Sequence, residues 1–387
     1  MAFLAGHMVN YSIIFLSLEW FQSHSIAGIG FGLSFGPPII FGWFAGVFCD
    51  RYSPRKVILI AQNSYFLSLI LLYFAFNSEP SLQLILLLTA AFLTGVGWSF
   101  VAPARFAALP FYADKNKLTT ASIALNLMVM TGFGLAPLLL KNIQASFGWY
   151  MVLSVTALLV LISSLILLSL KMTSSHKTQS NALTEIKESL KYVRQSSHLT
   201  QLLSLAGITY LLMGPMQVLL PSVAKETLGL SDAAQGNYLS LVAFSLIAGG
   251  ILVLILKSKL HFGKTIMATI LFAGFGIGIL GLINNLSFSM MMLIIASVSA
   301  GMAVSLIVAG LQHYAPEHLR GRIMSIYTII SQFIPAFSGV IAGVLASKLN
   351  FANALLAFAI IISISILFAF LTFNKIRTLN TLEVKHD

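Results

Sequence analysis

Long apolar stretches alternate with short polar breaks from one end of the chain to the other. A helix needs about 20 mostly apolar residues to cross a bilayer. The stretches are continuously apolar, without polar residues at every second position, which favours membrane-spanning helices over a β-barrel. The pattern predicts an all-α integral membrane protein with twelve transmembrane helices, at about 2–19, 26–49, 57–77, 82–102, 119–140, 149–170, 200–223, 237–256, 265–283, 288–311, 323–347 and 353–373.

One long polar interruption separates the sixth predicted span from the seventh. It divides the chain into an N-terminal six-helix half (1–170), a cytoplasmic linker (171–199), a C-terminal six-helix half (200–373) and a cytoplasmic tail (374–387). In the linker, Leu183, Ile186, Leu190 and Val193 recur at helical spacing between charged residues. This spacing predicts an amphipathic helix on the inner surface; a merely solvated linker is the alternative.

The composition excludes a soluble globular domain, because 58% of the 387 residues are hydrophobic and only 9% are charged. The net charge of +11 could suggest a nucleic-acid partner. However, all 22 lysines and arginines except Lys141, Lys225 and Lys348 fall on one side of the predicted spans. The positive-inside rule explains this bias, so we expect both termini in the cytoplasm and no nucleic-acid partner. The first apolar stretch begins almost at Met1 without a basic leader and is predicted to be a span, not a cleavable signal.

The densest cluster of charge lies in the turn between the second and third spans. Gly42 and Gly46 are four residues apart on one helix face, a spacing that lets another helix approach closely. Asp50 follows on the same face, at a helix C-terminus that disfavours a carboxylate. We therefore expect Asp50 to be held by Arg51, by Arg55 or by the N-terminus of a neighbouring helix.

This turn resembles the loop 2–3 signature of the major facilitator superfamily. Gly46, Asp50, Arg51 and Arg55 match the signature, whereas Ser53 and Pro54 replace its usual Gly and basic residue. The resemblance implies two parallel six-helix repeats, alternating access, a substrate site at mid-membrane and an inner gate at this turn. The second copy of the turn lacks the Asp, and the two-fold arrangement places the eleventh span beside the second. Arg320 and Arg322, after the tenth span, complete the predicted gate residues.

Further stretches resemble one branch of the superfamily, which includes bacterial enterobactin exporters and macrolide-efflux-like proteins. They are Pro103–Arg105 after the fourth span, Gly214–Pro215 in the seventh, and Pro316–Glu317 with Arg320–Arg322 after the tenth. The fifth span also resembles the antiporter motif of the superfamily, but Ala136 replaces the Gly before Pro137. Gly214–Pro215 should interrupt helical hydrogen bonds in the seventh span, and Pro335 in the eleventh.

The substrate cavity should be lined by polar and aromatic residues of the central spans. The predicted substrate-binding residues are His7, Asn10, Tyr11, Trp98, Asn126, Tyr210, Met213, Gln217 and Gln332. Each could instead join helices or face lipid. A lining of Trp, Tyr and Met suits a bulky, amphipathic and aromatic ligand. His7 stands where relatives often have Asp, so it is a candidate for proton or substrate binding, or a neutral histidine bonded between helices.

Few other side chains could take part in catalysis or bind a metal or an anion. The acidic residues all fall in loops or at span ends, and the single Cys49 excludes an internal disulfide and offers no metal cluster. Arg105 is the nearest cation for an anionic ligand, but its position at the inner rim favours an interfacial anchor. No catalytic set faces the membrane, so an enzyme is disfavoured. We expect no cofactor and no bound metal, with the proton gradient as the energy source.

Together these features predict a monomeric, multi-pass secondary transporter of the bacterial inner membrane, embedded in the lipid bilayer. It should export a small siderophore- or drug-like molecule as a proton antiporter. The alternative is an importer of a small molecule, such as a ferric siderophore, with the same fold.

Overall fold

The structure is a computed structural model that describes residues 1–42, 48, 52–112, 118–170, 190–256, 261–316 and 319–379. Gly46, Asp50, Arg51 and most of the predicted linker helix therefore lie outside the described residues. Throughout these ranges the regular secondary structure is helical, which confirms the all-α class.

The N-terminal half contains five long helices and a 3₁₀ turn. These are α1 (Ala2–Phe21), α2 (His24–Phe35), α3 (Pro54–Ala75), α4 (Pro80–Ala108), the 3₁₀ helix Leu109–Phe111 and α5 (Leu118–Ser169). The 52 residues of α5 would extend about 78 Å, far more than one bilayer crossing requires. Gly148 interrupts it with φ 78° and ψ 179°, a conformation that only glycine adopts readily. The fifth and sixth predicted spans are thus two crossings joined at Gly148.

The C-terminal half contains the remaining crossings. Its helices are α6 (Ser197–Tyr210), α7 (Met213–Ser222) with the π-helix Val223–Thr227, α8 (Asp232–Leu256), α9 (Phe262–Ile279), α10 (Leu286–Tyr314), α11 (Arg320–Leu349), α12 (Phe351–Thr372) and the short α13 (Asn374–Arg377). Eleven apolar helical segments in the described ranges are long enough to cross a membrane. Because one of them, Met128–Ser169, contains the Gly148 break, the structure supports twelve crossings.

Prolines break two of the predicted spans. The seventh span is interrupted between α6 and α7 at residues 211–212, as the sequence predicts, because Pro215 has no N–H to donate to the carbonyl of Leu211. In the second span α2 ends at Phe35, before Pro37 and Pro38, and helical backbone resumes over residues 38–42. Residues His24–Gly42 together form one apolar segment long enough to cross a membrane, in agreement with the predicted span. In contrast, α11 continues through Pro335.

The two halves meet where small residues let helix backbones approach. On α2, a Cβ added at Gly28 would lie 2.6 Å from the carbonyl oxygen of Gly339 on α11. A Cβ at Gly134 on α5 would lie 2.7 Å from the Cβ of Ala243 on α8. The neighbouring positions of the second and eleventh spans are thus confirmed. These contacts lie toward the turn between α1 and α2, which we call the predicted outer side.

Candidate functional site

A group of aromatic side chains surrounds His7 in the middle of the N-terminal half. The His7 ring is buried, and its centroid lies 5.4 Å from that of Trp98 on α4 and 5.4 Å from that of Phe133 on α5. Trp98 Nε1 donates a hydrogen bond of 3.1 Å to Oε1 of Gln332 on α11. Three predicted residues, His7, Trp98 and Gln332, are therefore linked in one chain of contacts that crosses between the halves.

Several buried polar atoms near the centre of the fold make no hydrogen bond within the described part of the chain. They are Nε2 of His7, both side-chain polar atoms of Asn10, and both side-chain polar atoms of Gln217 on α7. A buried polar atom without a partner is costly, so such groups commonly bind a ligand or gain partners in another conformation. Asn10 and Gln217 are each only 2% exposed, which makes them buried residues and not lipid-facing ones.

The other predicted binding residues occupy different surroundings. Tyr11 is buried, with its ring 6.1 Å from that of Phe133. The hydroxyl of Tyr210 on α6 is 2.7 Å from that of Tyr327 on α11. Met213 is half-buried at the start of α7, and Asn126 lies on α5 with its side chain outside the described part.

Phe133 and Tyr327 were not predicted. Phe133 lies between Gly132 and Gly134 in the antiporter-like pattern, and this position was the signal that could have identified it.

The predicted place of Arg105 at the inner rim did not include the contacts that its side chain makes. Its guanidinium carbon lies 3.6 Å from the ring centroid of Phe3, and its Nη1 atom is buried without a hydrogen-bond partner in the described ranges. The side chain also lines a cavity of about 280 Å³ between α3, α4 and α5. The reason for the difference is that the end of α4 packs against α1, which the one-dimensional pattern cannot show.

The described residues of the predicted inner gate lie apart from the central aromatic group. Gly42 is half-buried, and nothing lies within 4 Å of a Cβ added there. Arg55 donates from Nη1 to the carbonyl of Leu170 at 2.8 Å, which ties the start of α3 to the end of α5. Arg320 is exposed and Arg322 is half-buried at the start of α11. Their gating roles stay predictions.

An ion pair joins the halves at the predicted outer side. Lys141 Nζ on α5 lies 2.8 Å from Oδ1 of Asp232 on α8, and 4.2 Å from the ring centroid of Phe15. The lysine side chain is only 5% exposed. Lys141 was predicted to lie on the outer side, and its contact with Asp232 was not predicted. The available signal was a lysine that ends one apolar span and an aspartate that begins another.

Hydrogen bonds near the same side connect α2 with the C-terminal half. His24 Nε2 is 2.8 Å from the hydroxyl of Ser222, and the hydroxyls of Ser25 and Ser347 are 2.9 Å apart. Together with the Lys141–Asp232 pair and the glycine contacts, these bonds close the predicted outer side. Among the residues that the structure describes, no three His, Cys, Asp or Glu side chains could hold a metal ion.

Comparisons with solved structures identify the same architecture in membrane transporters. A bacterial homologue of the human lysosomal transporter Spinster, inward-facing and unoccupied, is 13% identical with a TM-score of 0.75, over 100% of this chain and 97% of that one. A D-xylose-proton symporter is 16% identical with a TM-score of 0.76, over 99% of this chain and 98% of that one. The nucleoside transporter NupG is 14% identical with a TM-score of 0.75, over 96% and 97%. At these identities the likeness shows the fold alone.

No curated protein matches the sequence. The family model of the Major Facilitator Superfamily matches residues 1–339. This match covers most of the chain and agrees with the twelve crossings and with the fold of the solved transporters. The chain therefore belongs to the Major Facilitator Superfamily, whose members are membrane transporters and not enzymes.

Proposed function

We propose that this transporter exports a small amphipathic organic molecule, siderophore- or drug-like, across the bacterial inner membrane in exchange for protons. The observation that carries the proposal is the central group itself. The rings of His7, Trp98 and Phe133 lie beside one another, and Trp98 connects them to Gln332 in the other half. Aromatic faces bind varied apolar shapes, while the unpartnered atoms of Asn10 and Gln217 can bind polar groups of a ligand.

Alternating access supplies the movement. The contacts that close the predicted outer side include the Lys141–Asp232 ion pair, two hydroxyl hydrogen bonds and close approaches at small residues. Such contacts can separate and form again as the halves move relative to each other. When they separate, the predicted gate around Asp50 would close the inner side.

His7 is the proposed proton site. The acids that the structure describes lie at helix ends, as Glu19 and Asp232 do. An imidazole changes charge near neutral pH, and Nε2 of His7 has no competing hydrogen-bond partner in the described part of the chain. A proton arriving from outside would be held at this nitrogen until substrate binding from the inner side releases it.

Import of a small molecule, such as a ferric siderophore, is the second candidate. The observation that favours it is Ala136, which is fully buried where the antiporter motif has Gly. A Cβ at this position changes the surface at which α5 packs. The resemblance to the antiporter motif therefore does not by itself imply proton antiport.

Everted membrane vesicles with an acidic interior distinguish the two directions. The probes are a labelled catecholate siderophore, its ferric form and a lipophilic macrolide. Export predicts that a probe accumulates in everted vesicles and that a protonophore abolishes the accumulation. Accumulation of the ferric siderophore in right-side-out vesicles instead would reject export and support import. Vesicles without the protein provide the background.

A further inference from the structure

The N-terminal half contains a cavity of about 280 Å³ near its predicted inner side. It lies between α3, α4 and both parts of α5, within about two turns of the helix ends at Leu109 and Leu170. Its walls are mostly apolar, from Ile58, Ala108, Leu125, Ile166 and Leu167. Arg105 supplies the positive charge in this lining.

Arg105 carries a charge that the described part of the chain does not neutralise. A guanidinium stays protonated at any physiological pH, and buried charges are normally paired. Within the described ranges no carboxylate forms an ion pair with Arg105, and its Nη1 atom is buried without a partner. The Arg105 guanidinium therefore keeps an unused hydrogen-bond donor.

The other polar groups of the cavity do not compensate this charge. Gln62 is occupied, because it donates to Ser163 and accepts from Ser164. At the rim, Arg55 donates to Leu170, which adds a second cation near the opening. A cavity with a positive end and apolar walls complements a molecule that has one anionic group and an apolar body.

We propose that this cavity is a binding site for an anionic amphiphile, whose carboxylate, phosphate or sulfonate binds Arg105 while its apolar part fills the space beside Leu125, Ile166 and Leu167. The site does not depend on the direction of transport. The ligand is either a transported molecule or an anionic lipid of the inner leaflet, since the two share this chemistry.

The test measures binding of dodecyl phosphate to the full-length protein purified in a neutral maltoside detergent. The readouts are native mass spectrometry and the shift in the thermal unfolding midpoint. We expect dodecyl phosphate to reach half-saturation at a concentration at least tenfold lower than dodecylphosphocholine, whose headgroup has no net charge. Arg105→Gln should remove this preference, and Arg105→Lys should keep part of it, because lysine retains the charge but not the fork of donors.

Two further variants separate binding from folding. Arg194→Gln removes an exposed arginine of the same protein and should bind like the wild type. Leu167→Trp fills the cavity without altering its charge and should weaken the binding of dodecyl phosphate at least tenfold. If Arg105→Gln does not fold, this variant still shows whether dodecyl phosphate binds in the cavity. The proposal is wrong if dodecyl phosphate shows no preference, or if neither variant in the cavity changes its binding.

Nanodiscs identify the source of the ligand. If it is a lipid, phosphatidylglycerol should co-purify with the wild type and not with Arg105→Gln. The amount of phosphatidylcholine that co-purifies should be the same for both proteins. If it is a transported molecule, vesicle uptake of dodecyl phosphate should saturate in the wild type and be lost in Arg105→Gln. Either result supports the site, and the absence of both would overturn it.

Discussion

Asp232→Asn should release the closed predicted outer side, because it removes the acid that pairs with Lys141. The substitution keeps the size of the side chain and leaves the lysine behind. With Asp232 gone, the Lys141 ammonium remains 4.2 Å from the ring of Phe15 and nearly excluded from water. Separation of α5 from α8 exposes the lysine to water and so removes the cost of burying an unpaired charge. We therefore expect the conformational equilibrium to move toward opening of this side.

The magnitude follows from the exposure of the two partners. Breaking a fully buried pair costs about 3–5 kcal/mol, and an exposed pair contributes about 0.2–1 kcal/mol. Here Lys141 is 5% exposed and Asp232 is 46% exposed, so the pair lies between these limits. A cost of about 2 kcal/mol corresponds to a shift of about 30-fold in the ratio of closed to open states. Lys141→Met should shift this ratio less, since water can hydrate the Asp232 carboxylate that remains.

A single thiol reports this opening. Cys49→Ser removes the only native cysteine, and Ser240→Cys adds one on α8, where the side chain is 5% exposed at the contact with α5. The rate of labelling by a membrane-impermeant maleimide should rise about 30-fold with Asp232→Asn, in line with the population shift. Glu79→Gln, which removes an exposed outer-side acid just before α4, is the control. Unchanged labelling with Asp232→Asn, or a larger effect of Lys141→Met, would refute the reasoning.

Three further predictions concern helix contacts and the proton site. Gly214→Ala should reduce transport at least tenfold in a vesicle assay, because the added Cβ would lie 2.2 Å from the backbone N of Gly339. Gly207→Ala is the control and should transport normally, because no atom lies within 4 Å of a Cβ added there. Trp98→Phe removes the hydrogen bond to Gln332 and should lower the transport rate about fivefold, equivalent to about 1 kcal/mol, whereas a normal rate would show that the bond is dispensable. His7→Gln should abolish the acceleration of transport by a pH gradient while leaving substrate exchange in the absence of a gradient; full acceleration would exclude His7 as the proton site.

The sequence predicted the architecture because membrane insertion depends on local composition. Twelve apolar segments could be identified without any tertiary information, and the break at Pro215 followed from a missing N–H. The neighbouring positions of the second and eleventh spans followed from the two-fold repeat. The interruption of the second span before Pro37–Pro38 was not predicted, because the length and hydropathy of a span do not report it.

The central group was predicted only in part. His7, Trp98 and Gln332 were chosen by residue type, and the structure brings them into contact. The same reasoning gave no ranking among polar residues, because an aromatic or amide side chain in a membrane helix can face lipid, another helix or a cavity. Phe133 was missed for this reason: apolar residues are too common in such a chain for type alone to select one.

What the sequence determined by itself is the class of protein, the number of crossings and the side on which positive charge accumulates, since each depends on residues near one another along the chain. Only the tertiary structure decided which charges are buried. Lys141 and Arg105 both looked like ordinary span-end cations, yet one is paired with Asp232 and the other packs over Phe3 beside a cavity. The physical reason is that burial and pairing depend on which helices meet, and these partners are separated by 91 and 102 residues along the chain.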